Sequence, residues 1–231
     1  MATYVMSDIH GEGERFFAML KEIEFKDEDQ LYIIGDVIDR GEDGIDLLEY
    51  IMEKENIILL LGNHEYMCRQ FYAIDASQTD MIRWNRNGNE PTLRALKKRS
   101  PEQRNKLLKF IRDLPEQIEL EIKDQHYLLV HAYPGKNTHD RVWLRPTLLT
   151  SFDLKGIDKV ILGHTPVVSL LVTSSYEDKI ACSQRLDQQG DHFKIIHTRS
   201  FIDLDCGCGH FAYHARRLAC LRLDDFKEYY R

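Results

Sequence analysis

The sequence predicts an α/β fold with a parallel sheet portion, and two patterns carry that reading. Five short apolar runs each pass directly into side chains that ligate metals or exchange protons. Between the first three runs the apolar spacing is helical, which gives strand, helix, strand, helix, strand and therefore βαβ units. Runs this short, rich in β-branched residues, read as buried strands.

The first run, Thr3-Tyr4-Val5-Met6, enters Ser7-Asp8-Ile9-His10-Gly11. Gly13 to Ile23 follows with Phe16, Phe17, Leu20 and Ile23 on one helical face, both phenylalanines being expected in the core. Leu31-Tyr32-Ile33-Ile34 enters Gly35-Asp36-Val37-Ile38-Asp39-Arg40-Gly41, and a second helix is expected from Gly44 to Met52. The remaining runs are Ile57 to Leu61 before Gly62-Asn63-His64-Glu65, Tyr127 to Val130 before His131, and Val160 to Leu162 before Gly163-His164. Five such junctions are expected to gather their side chains at one rim of a sheet, the C-terminal edge where open α/β sheets bind ligands.

Residues 66 to 115 are expected to be mostly helical. Ser100-Pro101-Glu102-Gln103 has the form of a capping box with proline at the first helical position. Tyr66 to Arg112 holds eleven Lys and Arg against four Asp and Glu, a local positive excess that suits an anion-attracting rim or a solvated helix face. Ile118 to Ile122 alternates as a half-exposed antiparallel strand, and Lys123-Asp124-Gln125 makes the turn into the next. Val167 to Gly190 is polar and weakly periodic, so residues 167 to 201 are expected to be a long connection, mainly loop. Further strands are expected at Phe193 to Ile196, Phe201 to Leu204 and Leu218 to Leu223. Nothing divides the chain, so residues 1 to 231 are expected to form one domain.

A net charge of −7 and a pI near 5.8 argue against a nucleic-acid partner. No apolar run approaches the ~20 residues of a membrane helix, and the N-terminus lacks a signal-peptide pattern. Five cysteines, an odd number without secreted-framework spacing, point to free thiols in a reducing cytoplasm. Cys206-Gly207-Cys208 is tighter than the common zinc spacing and reads as a glycine-rich turn.

By itself the Gly35 to Gly41 stretch fits either a metal- and phosphate-binding loop or a solvated turn with a local Asp–Arg pair. The other junctions favour the first. Asp8, His10, Asp36, Asn63, His131 and His164 offer carboxylate, amide and imidazole donors, which suit Mn²⁺, Fe or Zn²⁺ better than Ca²⁺. Six donors fit two divalent ions sharing a carboxylate, an arrangement that promotes in-line displacement at phosphorus.

In this order the motifs Asp-x-His, Gly-Asp-x-x-Asp-Arg-Gly, Gly-Asn-His-Glu, His and Gly-His resemble the calcineurin-like metallophosphoesterases, and within them the phosphoprotein phosphatases of the bacterial and phage lambda type. The resemblance runs from Asp8 to His164 and continues at Ile202-Asp203-Leu204-Asp205. It implies two mixed β-sheets packed as a sandwich flanked by helices, with a di-metal site at strand C-terminal ends. It also implies roles. Asp8, His10 and Asp36 hold the first metal, and Asp36 bridges to a second held by Asn63, His131 and His164. His64 protonates the leaving oxygen and is oriented by Asp39. Arg40 and Arg145 clamp the phosphoryl oxygens, Asn63 contributes to the phosphate site, and Arg141 is a rival for the work of Arg145. A metal-bridging hydroxide attacks directly, without a phosphoenzyme. The implied cofactors are two divalent ions, Mn²⁺ first. The implied partner is a phosphoprotein or phosphopeptide bearing phosphoserine, phosphothreonine or phosphotyrosine, acted on by a monomer.

Ser7 stands where the family often has glycine, and residues 167 to 201 are longer than in lambda-type members. The competing readings are a symmetrical dinucleoside tetraphosphatase of the same fold and a non-catalytic binding module, which the full donor set argues against. His126, His139, His192, His197, His210 and His214 are expected at surface or packing positions.

Overall fold

The computed structural model describes residues 1–231. The first half opens with β1 (Thr3–Met6), α1 (Gly13–Glu22), β2 (Gln30–Ile33), α2 (Gly44–Met52) and β3 (Ile57–Leu59). The three strands pair in parallel, as the alternation with helices requires. Four helices follow: α3 (Asn63–Phe71), α4 (Gln78–Arg86), α5 (Glu90–Lys98) and α6 (Pro101–Arg112). The capping box at α6 forms, with the Ser100 hydroxyl accepting from the Gln103 N–H at 3.2 Å and the Gln103 amide oxygen accepting from the Ser100 N–H at 3.0 Å.

The second half comprises β4 (Gln117–Ile122), β5 (Gln125–Val130), α7 (Thr138–Trp143), β6 (Lys159–Leu162), α8 (Val167–Leu171), α9 (Tyr176–Gln188), β7 (Ile196–His197), β8 (Phe201–Asp203), β9 (Ala219–Arg222) and β10 (Lys227–Tyr230). The β4–β5 hairpin turns on Lys123 and Asp124, both at positive φ, as a two-residue turn between twisted strands demands.

The strands form two mixed sheets, ordered β10-β9-β1-β2-β3 and β4-β5-β6-β8-β7. Period-two alternation sorts their side chains. Val5, Ile34, Leu60 and Leu221 of the first sheet region pack with Tyr127, Leu129, Ile161 and Ile202 of the second, forming the core between the sheets. Tyr4, Met6, Leu31 and Ile33 face the other way, onto Phe16, Met19, Ile45 and Leu48 of α1 and α2. The outer face of the second sheet is sealed by Leu170 against Leu128, Val160 and Phe201.

Several expectations need correction. The five junctions do not share one sheet: three end strands of the first sheet and two end strands of the second, and face-to-face packing brings the two rims together. A one-dimensional pattern does not reveal which strands share a sheet. Residues 167 to 190 hold two helices, α8 and α9, joined by a short link, rather than a loop. Ser175 caps α9 through the Asp178 N–H, and Ile180, Ser183 and Leu186 touch the body of the protein. The contact strip is narrow and includes a serine, which hides the period. Phe16 is buried but Phe17 is 47% exposed, packing its ring edge-on against Tyr50 at the surface. The strand expected at Phe193 begins only at Ile196, because Phe193 bonds through its N–H to Ala215 instead. No helix is long and apolar enough to cross a membrane.

Candidate active site

The loops after β1, β2, β3, β5 and β6 meet where the two sheets converge. Asp8, His10, Asp36, Asn63, His64, His131 and His164 are all buried there. Asp8, His10, Asp36, Asp39, Arg40 and His164 adopt left-handed backbone, with φ between 49° and 71°. Each such residue costs ~1 kcal/mol or more, and this strain is concentrated at the side chains the sequence singles out.

Hydrogen bonds fix which face each imidazole presents. Nδ1 of His10 lies 3.1 Å from the Ile38 carbonyl and Nδ1 of His131 lies 2.7 Å from the Ile34 carbonyl. Nε2 of His164 lies 3.3 Å from the Trp143 carbonyl. A carbonyl only accepts, so each of these nitrogens carries a ring proton, and in a neutral ring the other nitrogen is bare. The other nitrogens converge on oxygen. Nε2 of His10 is 3.6 Å from Asp36 Oδ2 and 3.9 Å from Asp8 Oδ1. Nε2 of His131 is 3.5 Å from Asp36 Oδ2 and 2.9 Å from Asn63 Oδ1, and Nδ1 of His164 is 2.8 Å from the same amide oxygen. Such convergence in a dry interior needs a proton or a metal cation between the partners. The donor set therefore fits divalent metal, and imidazoles tied back to carbonyls are the usual support of metal-ligating histidine.

Electrostatics agree. Burial, then Arg40, lowers the pKa of His10, and burial, then Arg145, lowers that of His164, keeping both rings neutral as ligands must be. Burial alone would raise the Asp36 carboxyl, but His131 and His64 outweigh it and hold Asp36 well below the ordinary carboxylate range. Burial opposes the charge on His131 as well, yet Asp36 carries that ring up to about 9, so without a cation its Nε2 holds a proton toward Asp36 that a bound metal would have to displace. Burial, countered by His131, lifts Asp8 to about 6. Two groups could each hold an ion: His10, Asp36 and His64, and Asp36, His131 and His164. Asp36 belongs to both. His64 falls within the first by proximity, although its Nε2 stands 3.9 Å from Asp36 and lies 3.1 Å from Arg40 Nη2.

His64 and Asp39 form the pair expected of them, Nδ1 to Oδ2 at 2.6 Å. The Asp39 carboxylate also accepts the indole N–H of Trp84 and the hydroxyl of Thr92, both at 2.6 Å. Neither residue is apparent from the sequence as part of the site; both come from the helical segment and lie in positions that read as core or surface. Glu65 is the other residue missed. Its buried carboxylate accepts backbone N–H bonds from Asp36, Val37, Ile38 and Gly62 at 2.8 to 3.2 Å, and so holds the strained loop in shape.

The two arginines differ. Nη1 of Arg40 is buried and has no partner, which leaves a guanidinium edge free at the site. Arg145 is anchored by Nη1 to the His164 carbonyl at 2.9 Å, while Arg141 is tied to Glu116 and the Gly135 carbonyl and is turned away from the site. His197 pairs with Glu228, remote from the site. His210 packs, as expected, by stacking on Tyr213 at 5.1 Å. Gly209 packs so closely on the His10 ring that any Cβ there would overlap it, and the loop carrying His210 therefore borders the site. Cys206 and Cys208 are buried in different hydrophobic clusters, so the intervening turn points the two thiols apart.

Comparison with known proteins places this geometry. The family model for calcineurin-like phosphoesterases matches residues 1–168. Serine/threonine-protein phosphatase 2 of Salmonella typhimurium strain LT2 is 32% identical over 177 residues, covering 70% of this chain and 78% of that protein. The symmetrical bis(5'-nucleosyl)-tetraphosphatase of Salmonella paratyphi B is 40% identical over 67 residues, only 28% of this chain and 24% of that protein. A metallophosphoesterase from Sphaerobacter thermophilus superposes with a TM-score of 0.57 at 13% identity, covering 100% of this chain and 87% of that one. The cold-active protein-tyrosine phosphatase of a psychrophile Shewanella sp. gives 0.52 at 12% identity, with 99% and 79% covered. At such identities the two structures speak to the fold only. Two mixed sheets, the ordered motifs and the family match agree, and the chain belongs to the calcineurin-like phosphoesterase family of hydrolases.

Proposed function

We propose that the protein is a metal-dependent phosphoprotein phosphatase, acting as one domain on phosphoserine and phosphothreonine, with phosphotyrosine as a further substrate. The observation that carries the metal dependence is the convergence of three imidazoles, each tied back to a carbonyl, on carboxylate and amide oxygens. Asp8, His10 and Asp36 would hold one ion, and Asp36, Asn63, His131 and His164 a second, with Mn²⁺ the first candidate. Bound cations supply Lewis acidity and an activated water.

The chain's own groups do the rest. The free edge of Arg40, joined by Arg145 and the Asn63 amide, holds the phosphoryl oxygens, a task suited to planar guanidinium. Water that has given up one proton to solvent forms the new O–P bond in line as the ester P–O bond breaks. In the structure His64 Nε2 accepts from Arg40 Nη2 at 3.1 Å, so His64 would act once Arg40 has turned onto the phosphoryl oxygens and Nε2 has taken up a proton, which it then gives to the departing alkoxide while Asp39 keeps the ring oriented through Nδ1.

The choice of phosphoprotein over dinucleotide rests on the extent of similarity to the Salmonella phosphatase, which spans most of both chains. The dinucleotide reading draws on the higher identity over a short stretch. Turnover of a phosphoserine peptide and of diadenosine tetraphosphate, measured side by side with Mn²⁺, separates them. The peptide is expected to have the higher kcat/KM; a ~100-fold preference for the dinucleotide would overturn the assignment.

Asp36→Asn tests the bridge. The substitution keeps the shape but removes the charge shared by both donor groups. Elemental analysis is expected to find both ions depleted in the variant, and full occupancy of two would count against bridging.

A further inference from the structure

A cavity of about 740 Å³ is lined by both Arg40 and Phe211, together with Arg216 and the Glu12 and Asp43 carboxylates. A second, of about 460 Å³, is lined by the same two residues together with Gly88 and Pro91. None of the proposed metal ligands lines either cavity, so Arg40 is their link to the chemistry. Part of the larger cavity's lining is bare backbone from Gly11, Gly13 and Gly41. Gly11 and Gly41 press against each other so closely that a side chain fits on neither.

Phe211 is 51% exposed and lines both cavities. The ring is held rather than loose. The Arg216 guanidinium lies 4.7 Å from its centroid and is itself fixed by hydrogen bonds to Glu12 at 2.9 Å and to the Cys208 carbonyl at 2.5 Å. Next along the chain, Gly209 is pinned on His10, and His210 stacks on Tyr213 at 5.1 Å. The site's own wall thus presents an aromatic ring with a cation on one face and the other face available.

We propose that Phe211 is a specificity-determining platform for the leaving group, and that the cavity favours substrates with a planar ring attached close to the phosphoryl group. Such a ring is carried by a tyrosyl phosphate or by a nucleoside phosphate. The proposal rests on the reading of Arg40 as the phosphate-facing arginine, and it deepens the function proposed above by predicting a discrimination among phosphoesters.

The test is equilibrium binding to the manganese-loaded protein, using phosphonates that cannot be hydrolysed. Benzylphosphonate and ethylphosphonate share a head group and differ in the ring; a phosphonate analogue of AMP carries a nucleobase instead. At least one planar ligand is expected to bind roughly ten-fold tighter than ethylphosphonate. Phe211→Ala should bring that ratio within about two-fold, and Phe211→Trp should keep it. Which planar ligand gains identifies the source of the ring. An equal affinity for all three ligands, or a preference that survives Phe211→Ala, overturns the platform while leaving the phosphatase reading intact. If ethylphosphonate and the planar ligands all fail to bind, the phosphate-facing role of Arg40 falls, and the platform with it. Phe211 is exposed, so its variants are expected to fold.

Discussion

His64→Asn lowers kcat on a phosphoserine peptide by ~10²–10⁴ and leaves the metal content unchanged. The reason is local. His64 is fully buried and its Nδ1 is committed to Asp39, so its Nε2, which accepts from Arg40 Nη2 at 3.1 Å until phosphate draws that guanidinium away, is the ring position that carries a proton to substrate. Asparagine fills similar space and can still donate to Asp39, which keeps the Trp84 and Thr92 bonds in any case. The fold is therefore expected to survive with a loss of about 1–2 kcal/mol. The deficit should depend on the leaving group: large for an alkoxide, which must be protonated as it departs, and small for p-nitrophenolate, which need not be. A Brønsted series of aryl and alkyl phosphates, with metal stoichiometry measured alongside, separates this role from a ligand role. If His64 were a metal ligand, occupancy would fall and all leaving groups would suffer alike. An unchanged kcat on the poorest leaving group would remove His64 from the mechanism.

The positions of these side chains were readable from the sequence because the family chemistry sits at strand ends, and short apolar runs mark strand ends well. Asp8, His10, Asp36, Asn63, His131 and His164 each follow such a run directly or within a few residues, and the structure brings all six together. What holds them was less readable. Trp84 and Thr92 reach Asp39 across 45 and 53 residues, and nothing local in α4 or α5 marks an indole N–H as a hydrogen-bond donor to a carboxylate in the site. The left-handed backbone at Asp8, His10, Asp39 and Arg40 has no side-chain signature either, since those residues ordinarily prefer negative φ. Helix α9 was missed for a different reason. It touches the core through so few residues that its periodicity vanishes among polar neighbours, and only the Ser175–Asp178 capping box marks where it starts.

Glu65→Ala is expected to destabilise the protein by about 3–5 kcal/mol, a large fraction of the ~5–15 kcal/mol that keeps a typical domain folded. The side chain makes no contact that a substrate would feel. Its effect arises because one buried carboxylate satisfies four backbone N–H groups, three of them consecutive from Asp36 to Ile38. Each unsatisfied buried donor costs ~1–3 kcal/mol, and water entering the space left by the side chain recovers only part of that sum. Asp36 also sits at a φ of 57°, a conformation that needs an external restraint to persist. Once the carboxylate is gone the loop can relax toward negative φ, which would swing the Asp36 oxygens away from His10 and His131. Two readouts should therefore move together: the urea midpoint, and the metal content of the fraction that stays folded. Glu65→Gln keeps one acceptor oxygen but turns an NH₂ donor toward N–H groups, so its destabilisation should be intermediate. A Glu65→Ala protein within about 1 kcal/mol of the parent, still binding two ions, would mean that the loop holds its shape by packing alone.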